Sequence, residues 1–329
     1  MEFRTKVEIP TTISLVSEDE HILVMGSCFA ASMGEMLLQY KFHCLVNPFG
    51  VLYNPLSLFQ ALRGLLSGTY DAPRFLFCNS AGIWGSWLHS TAFSASDREE
   101  SIGRIQASFC EAVAQLDRLD CLVLTFGTDH CYRLRQNGLL VSNCHKQPTV
   151  LFSEETPSLG QMLEEGTRTL AALLERRPSL RVILTVSPYR YLKYGLHGSR
   201  LSKAALLLLT QELEKRFPRN VNYFPAYEIL EDELRDYRFY AEDMVHPSEQ
   251  AVRYIWQQFV QTRLSDSARQ YITDWIPLNK ALAHVSQTIS SPEHRLFLER
   301  TRRQLMQFGE HYPHADISAE KEKLANLLS

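Results

Sequence analysis

Short apolar runs alternate with stretches of helical spacing over the first 260 residues of the chain. The runs at 22–25, 42–45, 121–125, 182–186 and 222–224 predict strands. Between them, residues 31–40, 56–66, 102–119, 159–175, 202–217 and 250–264 repeat apolar positions at helical spacing. Strand–helix alternation of this kind makes a parallel sheet with helices on both faces. Ligands of such sheets sit at the carboxyl ends of the strands. Three strings leave the strands there: Gly26-Ser27, Gly127-Thr128 and Ser187-Pro188. Residues 69–96 are less regular and rich in aromatic and small side chains, including Trp84, Trp87 and His89, which suits a lid or a wall of the site. From about residue 265 the pattern is mostly helical and more charged, interrupted at Pro277, Pro292 and Pro313, and it ends in an amphipathic helix at 317–328. The expected organisation is one domain over 1–264 and a helical C-terminal extension over 265–329.

Composition narrows the class without naming a chemistry. A chain of 329 residues with 45% hydrophobic and 22% charged positions is that of an ordinary globular protein. The net charge of −3 argues against a nucleic-acid partner. No stretch approaches the roughly 20 apolar residues of a membrane span, and no membrane partner is expected. The opening Met1-Glu2-Phe3-Arg4-Thr5-Lys6-Val7 carries charges where a secretory signal would place its apolar core, which predicts a cytoplasmic location. Seven cysteines at 28, 44, 78, 110, 121, 131 and 144 are an odd set without repeated spacing, and read as reduced thiols.

Two strings carry chemistry. In the first, a serine at a strand-to-helix turn is held out of the sheet, with the N–H groups of the first helical turn around the place where an oxyanion would form. Gly26 lets this turn pass close without a side chain, and Ser27 is the candidate nucleophile. Cys28 shares the helix start, where a thiol pKa falls; adjacent residues in a tight turn point apart, so it is expected to pack under the turn. In the second string, Asp243-Met244-Val245-His246-Pro247, the acid three residues before the histidine can turn onto imidazole Nδ1, fix the tautomer and leave Nε2 free for a hydroxyl proton. Pro247 and Ser248 then suit the start of a helix.

An early Gly-Ser after the first strand and a late Asp-x-x-His-Pro before the last helix of the sandwich resemble the SGNH (GDSL-like) hydrolase superfamily. Gly26-Ser27-Cys28-Phe29-Ala30 is moreover the string that names the GSCFA domain family within it. The resemblance extends through Asn47–Pro55, Leu124-Thr125-Phe126-Gly127-Thr128, Asn143-Cys144-His145-Lys146, Thr185-Val186-Ser187-Pro188 and Asp243–Pro247, in that order over about residues 20–262. It implies a three-layer α/β/α flavodoxin-like sandwich with a parallel sheet, carrying Ser27 as nucleophile, His246 as base and Asp243 as the residue that orients it. It also implies an oxyanion hole built from the Ser27 N–H, the Gly50 N–H and a side-chain amide. In the superfamily that amide is an asparagine in Gly-x-Asn-Asp, whereas Gly127-Thr128-Asp129-His130 has an aspartate there. An ionised Asp129 only accepts hydrogen bonds. Asn143, Asn54 and His145 are the alternative donors, and Asn143 is preferred because its string is part of the resemblance.

Asn54 and Asn143 equally suit ordinary turns, and His89 equally suits a packed structural position. Asn54, His89 and His145 are the candidate substrate-binding residues, and Tyr189, Tyr191 and Tyr194 with Arg190, Lys193 and Arg200 a candidate carbohydrate wall. The pairs His130-Cys131 and Cys144-His145 suggest zinc, but adjacent residues on a hairpin point to opposite faces; no metal and no cofactor is expected. The expected function is hydrolysis of a small acyl ester, such as acetyl, on a carbohydrate or similar polar small molecule, with an acyltransferase or a non-catalytic binding protein as the other readings.

Overall fold

In a computed structural model, the described residues are 4–10, 15–284 and 292–328. Five strands form the central parallel sheet: β1 (His21–Gly26), β2 (His43–Val46), β5 (Leu119–Phe126), β9 (Arg181–Val186) and β10 (Val221–Tyr223). Their spatial order is β10-β9-β5-β1-β2. Numbered by sequence within the sheet this is 2-1-3-4-5, a doubly wound order whose direction reverses between β1 and β5. The expected strands are all present, with β2 and β10 displaced by one residue and β5 longer at both ends.

Alternate residues of each strand enter different cores, which is why the strands read as continuous apolar runs. Ile22, Val24, Cys121, Val123 and Ile183 face one side. Leu23, Met25, Leu122, Leu124, Val182 and Leu184 face the other. The second face is covered by α2 (Pro55–Ser67), α3 (Arg98–Leu116), α4 (Leu159–Arg176) and α5 (Gly195–Arg216). The first is covered by α1 (Cys28–Gln39) and α7 (Glu249–Arg263), with the short α6 (Ala226–Glu228) and a π-helical turn at Ile229–Leu234 beside them. Two small antiparallel sheets decorate the sandwich. One is the hairpin β3 (Leu76–Cys78) with β4 (Trp84–Ser86), inside the segment expected to be irregular; the other has the order β7-β6-β8, from β6 (Cys131–Leu134), β7 (Leu140–Val141) and β8 (Phe152–Glu155).

The extension comprises α8 (Asp266–Ala283), α9 (Pro292–His311) and α10 (Ser318–Leu328). Pro277 was expected to interrupt it and instead sits inside α8, whose flanking Trp275 and Leu278 are buried and hold the turn that lacks one N–H. These helices share one core with α1 and α7: Trp275, Leu305 and Phe308 belong with Phe29, Met33 and Trp256. Beyond apolar contact, Trp275 Nε1 donates to Gln39 O (2.9 Å) and Tyr271 OH to Lys41 O (3.1 Å), tying α8 to the carboxyl end of α1. Among the described residues, no helix is long and apolar enough to cross a membrane.

Trp275 is 1% exposed. Trp275→Ala is expected to cost about 3–5 kcal/mol of folding stability, read by urea unfolding; a loss below about 1 kcal/mol would mean that the extension is not part of the cooperative core.

Candidate active site

β1 ends on Gly26 at φ +146°, where a Cβ would lie 2.3 Å from Thr125 O of the neighbouring β5. Only glycine fits this approach, and the chain turns directly into α1. Ser27 is the N-cap of that helix, yet its side chain makes no capping bond. Its Oγ is shielded from solvent and has no hydrogen-bond partner, so the hydroxyl is held in reserve at the carboxyl edge of the sheet. The Ser27 N–H reaches Thr125 O at 3.3 Å. Gly127, leaving β5, is the near neighbour: a Cβ there would stand 3.5 Å from Ser27 Cβ.

The acid–histidine pair is formed by a tight loop before α7. Tyr240 and Pro247 make an antiparallel bridge, and Met244 takes a left-handed φ of +58° inside it. Asp243 Oδ1 accepts from the Val245 and His246 N–H groups, each at 2.9 Å, while Oδ2 meets His246 Nδ1 at 2.5 Å. The His246 side-chain bond, followed by the two backbone N–H groups, holds the Asp243 carboxyl down at about 2. Nε2 is therefore the free nitrogen of His246. The Tyr189 ring packs edge-on to the imidazole at 4.6 Å, and Arg190 N–H donates to Val245 O (3.0 Å), fixing the loop to the segment that follows β9. No hydrogen bond joins Ser27 Oγ to His246 in this conformation. Both groups nonetheless belong to the carboxyl edge of the sheet: Ser27 leaves the end of β1, and the Arg190 N–H ties the His246 loop to the segment that leaves the end of β9.

Burial is the largest cause of a raised pKa at the Cys28 thiol. A thiol pushed up is a poorer nucleophile at neutral pH, so Cys28 sits in the turn without the thiolate character that a helix start would have lent it.

The other anticipated site residues are placed as follows. The Gly50 N–H, expected in the oxyanion hole, donates to Asn47 O (2.6 Å) within its own turn and is not offered to a ligand. Asn54 is the N-cap of α2: Oδ1 accepts from Ser57 N (2.8 Å) and Nδ2 donates one N–H to Ser57 Oγ (3.0 Å), and the residue also lines the cleft described below. His89 is 1% exposed, stacked on Phe49, with Nδ1 between Ser86 Oγ and Tyr70 OH; burial pushes its pKa down to about 3. His145 bonds Ser86 O through Nε2 (2.8 Å) and packs against Phe77. His89 is thus packed inside the fold, whereas His145 keeps Nδ1 buried without a hydrogen-bond partner. Asn143 accepts from His145 N (2.7 Å) in a local turn, and also lines a cleft of about 740 Å³ with Tyr53, Thr128, Tyr132, Tyr191 and Lys193. Tyr191 and Lys193 of the anticipated aromatic wall thus face a cavity; Tyr194 stacks on His130 and Arg200 pairs with Glu231. Asp129 sends its N–H to Ser202 Oγ and keeps Oδ1 buried without a hydrogen bond, 3.7 Å from His130 Nε2. Among the described residues, no group of three or more His, Cys, Asp or Glu side chains could hold a metal ion.

Two groups escaped sequence reasoning. Lys203, 2% exposed in α5, donates from Nζ to Gly127 O (2.6 Å) and Ser187 O (2.8 Å), so one ammonium joins the exits of β5 and β9. Burial lowers its pKa to about 7. Its signal was a lysine in register with Leu206, Thr210 and Leu213 on the buried face of a helix. The second is Asn47, whose Oδ1 accepts from Gly26 N–H (2.8 Å) at a left-handed φ of +48°. It was hidden because an asparagine beside a proline reads as a turn residue.

The depressed Asp243 pKa has a definite sign. Its pairing with His246 contributes stability in full above the unfolded value of 3.8, and that contribution is lost as pH falls through about 2. The Asp243 side-chain carboxyl resonance should therefore titrate with a midpoint near 2, and in His246→Ala the midpoint should move up toward 3.8. A wild-type midpoint already near the unfolded value would mean that the pair does not persist in solution.

A search of curated proteins finds no match for the chain. Family models do match. The model of the GSCFA family covers residues 21–259, from the start of β1 into α7, and that of the GSCFA domain protein C-terminal domain covers residues 275–329. The first spans most of the chain and includes the Ser27 turn and the Asp243–His246 loop: the chain belongs to the GSCFA family.

Proposed function

We propose that this protein is a serine esterase of the SGNH type that removes a small acyl group, such as acetyl, from a carbohydrate or similar polar molecule. The observation that carries the proposal is the Asp243–His246 pair, locked at 2.5 Å with Nε2 left free, on the same sheet edge as a serine hydroxyl that has no structural employment. The strand order 2-1-3-4-5, with Ser27 leaving β1 next to the point where the order reverses, supports the flavodoxin-like SGNH arrangement.

The chemistry follows from the groups. The reaction requires a movement of the Ser27 side chain or the His246 loop that brings Oγ to Nε2. As the Oγ–carbon bond forms, Nε2 takes the hydroxyl proton and the carbonyl π pair moves onto the carbonyl oxygen. Asp243 does not take the proton; it stabilises the imidazolium and keeps the ring in one tautomer. Collapse of the oxyanion breaks the bond to the alcohol, which leaves with the proton from Nε2. Water, deprotonated by the same nitrogen, then attacks the acyl-serine and restores the hydroxyl. If an acceptor alcohol replaces water in this last step, the same machinery is an acyltransferase. The cleft that begins at Tyr53 and Thr128 offers tyrosine rings and polar side chains to the alcohol portion.

Treatment with a fluorophosphonate, followed by mass spectrometry of the intact chain and of its peptides, should give one adduct on Ser27. Ser27→Ala should abolish it, and His246→Ala should slow it by about 10²–10⁴-fold, the usual worth of general-base assistance. A folded wild-type protein that acquires no adduct would sink the esterase reading and leave the binding-protein reading standing.

A further inference from the structure

The oxyanion formed by Ser27 needs donors beyond the first turn of α1; the Ser27 N–H itself reaches Thr125 O at 3.3 Å, and several other expected donors are engaged. The Gly50 N–H is spent on Asn47 O. The N–H groups of Gly127 and Thr128 both point at Tyr53 O, at 2.7 and 3.1 Å. Asn54 Nδ2 gives one of its two N–H groups to Ser57 Oγ within the N-cap of α2. Asp129 offers only acceptor oxygens when ionised. Asn143 stands after β7, on the small antiparallel sheet, with no bond to the nucleophile turn.

One side-chain amide is different. Asn47 follows β2 and its N–H continues the sheet by donating to Val24 O (2.8 Å), so its backbone is fixed beside β1. Its Oδ1 accepts from the N–H of Gly26, the residue that precedes the nucleophile, which settles which end of the carboxamide is oxygen. The other end, Nδ2, is shielded from solvent and has no partner. Carboxamide geometry separates Oδ1 and Nδ2 by about 2.2 Å, so with the 2.8 Å bond Nδ2 lies within about 5 Å of Gly26 N. A shielded donor with an empty bond is costly and uncommon in a folded protein. Here it shares its condition with Ser27 Oγ, and with Thr125 Oγ1 on the neighbouring strand.

We propose that Asn47 is a catalytic residue whose Nδ2–H binds the oxyanion generated when Ser27 attacks an ester, in the role that Asp129 cannot fill. This inference rests on the esterase reading. The carboxamide is divided between two tasks: its oxygen holds the Gly26 turn in place, and its nitrogen waits for the negative oxygen. Nδ2 and Ser27 Oγ become available together when the turn admits a substrate, and the amide acquires its missing partner as charge develops on the carbonyl oxygen. No proton is transferred from Nδ2. Such a donor acts on the transition state more than on the ground state, so its loss falls on kcat.

The division of labour allows a clean test. Asn47→Asp keeps the Oδ1 acceptor for Gly26 N–H and deletes the donor. Asn47→Gly deletes the donor without adding charge and tolerates the left-handed φ. With p-nitrophenyl acetate and the full chain, both variants should lose 10²–10³-fold in kcat, as for other oxyanion donors. KM should stay within about threefold of wild type, and thermal melting of the Asp variant should stay close to wild type. Either variant retaining kcat within about threefold of wild type overturns the assignment; a loss confined to the Asp variant would be an effect of its charge. If Ser27→Ala retains wild-type hydrolysis, or a folded wild-type chain neither hydrolyses the ester nor labels at Ser27, the esterase reading itself has failed and takes this inference with it. A failure of Asn47 alone leaves Ser27 labelling and wild-type turnover intact, which separates the two.

Discussion

The candidate site depends on how closely β1 can pass β5 at Gly26. With any side chain at that position the backbone would collide with Thr125 O, and α1 could not start where it does. The close pass places Ser27 on the helix N-cap with its hydroxyl unemployed, sets Gly127 against it, and leaves the Gly26 N–H pointing toward β2, where Asn47 accepts it. The Gly26 carbonyl in turn receives the Leu52 N–H, so the segment between β2 and α2 is drawn across the same edge. Removing the approach would leave these contacts without their common reference point.

The electrostatics of this edge are unusual for how few charges it uses. The carbonyls of Gly127 and Ser187, at the exits of adjacent strands, converge on one buried ammonium, Lys203, which among the described residues forms no salt bridge with a carboxylate. Burial alone would expel the proton, and the two carbonyl dipoles are what a buried ammonium has in return. The acidic partner of the chemistry lies elsewhere, on an exposed loop, where two backbone N–H groups and an imidazole keep Asp243 ionised. Two short, well-bonded features therefore stand on one edge of the sheet: a rigid strand exit with a serine, and a loop with a self-contained acid–base pair.

How much of this the sequence displayed depends on the range of the interactions. The strands and helices were legible because doubly buried strands give continuous apolar runs and the helices keep their spacing. The Asp243–His246 pair was legible because it is local, closing within three residues. The roles of Gly50, Asn54 and His89 were not, because each depends on which nearby group happens to take its hydrogen bond: an Asn47 carbonyl, a Ser57 side chain, a Ser86 hydroxyl. Asn47 was lost for the converse reason, since its importance lies in a bond that is not made. Pro277 shows the limit of local rules, as packing on both sides of α8 outweighs one missing N–H.

The attachment of α8 to the far end of α1 has a consequence for the order of events during synthesis. Helix α1, which begins at the candidate nucleophile, buries Phe29 and Met33 in a core completed by Trp275, Leu305 and Phe308, and the carbonyls of Gln39 and Lys41 wait for Trp275 and Tyr271. Those partners emerge from the ribosome more than 200 residues after α1 does. The sheet can assemble earlier, but the helix that aims Ser27 acquires its final support only when the last helices arrive. A nascent chain would thus carry an unfinished α1 until α8 and α9 are made, with a wet apolar face open to chaperones in the interval.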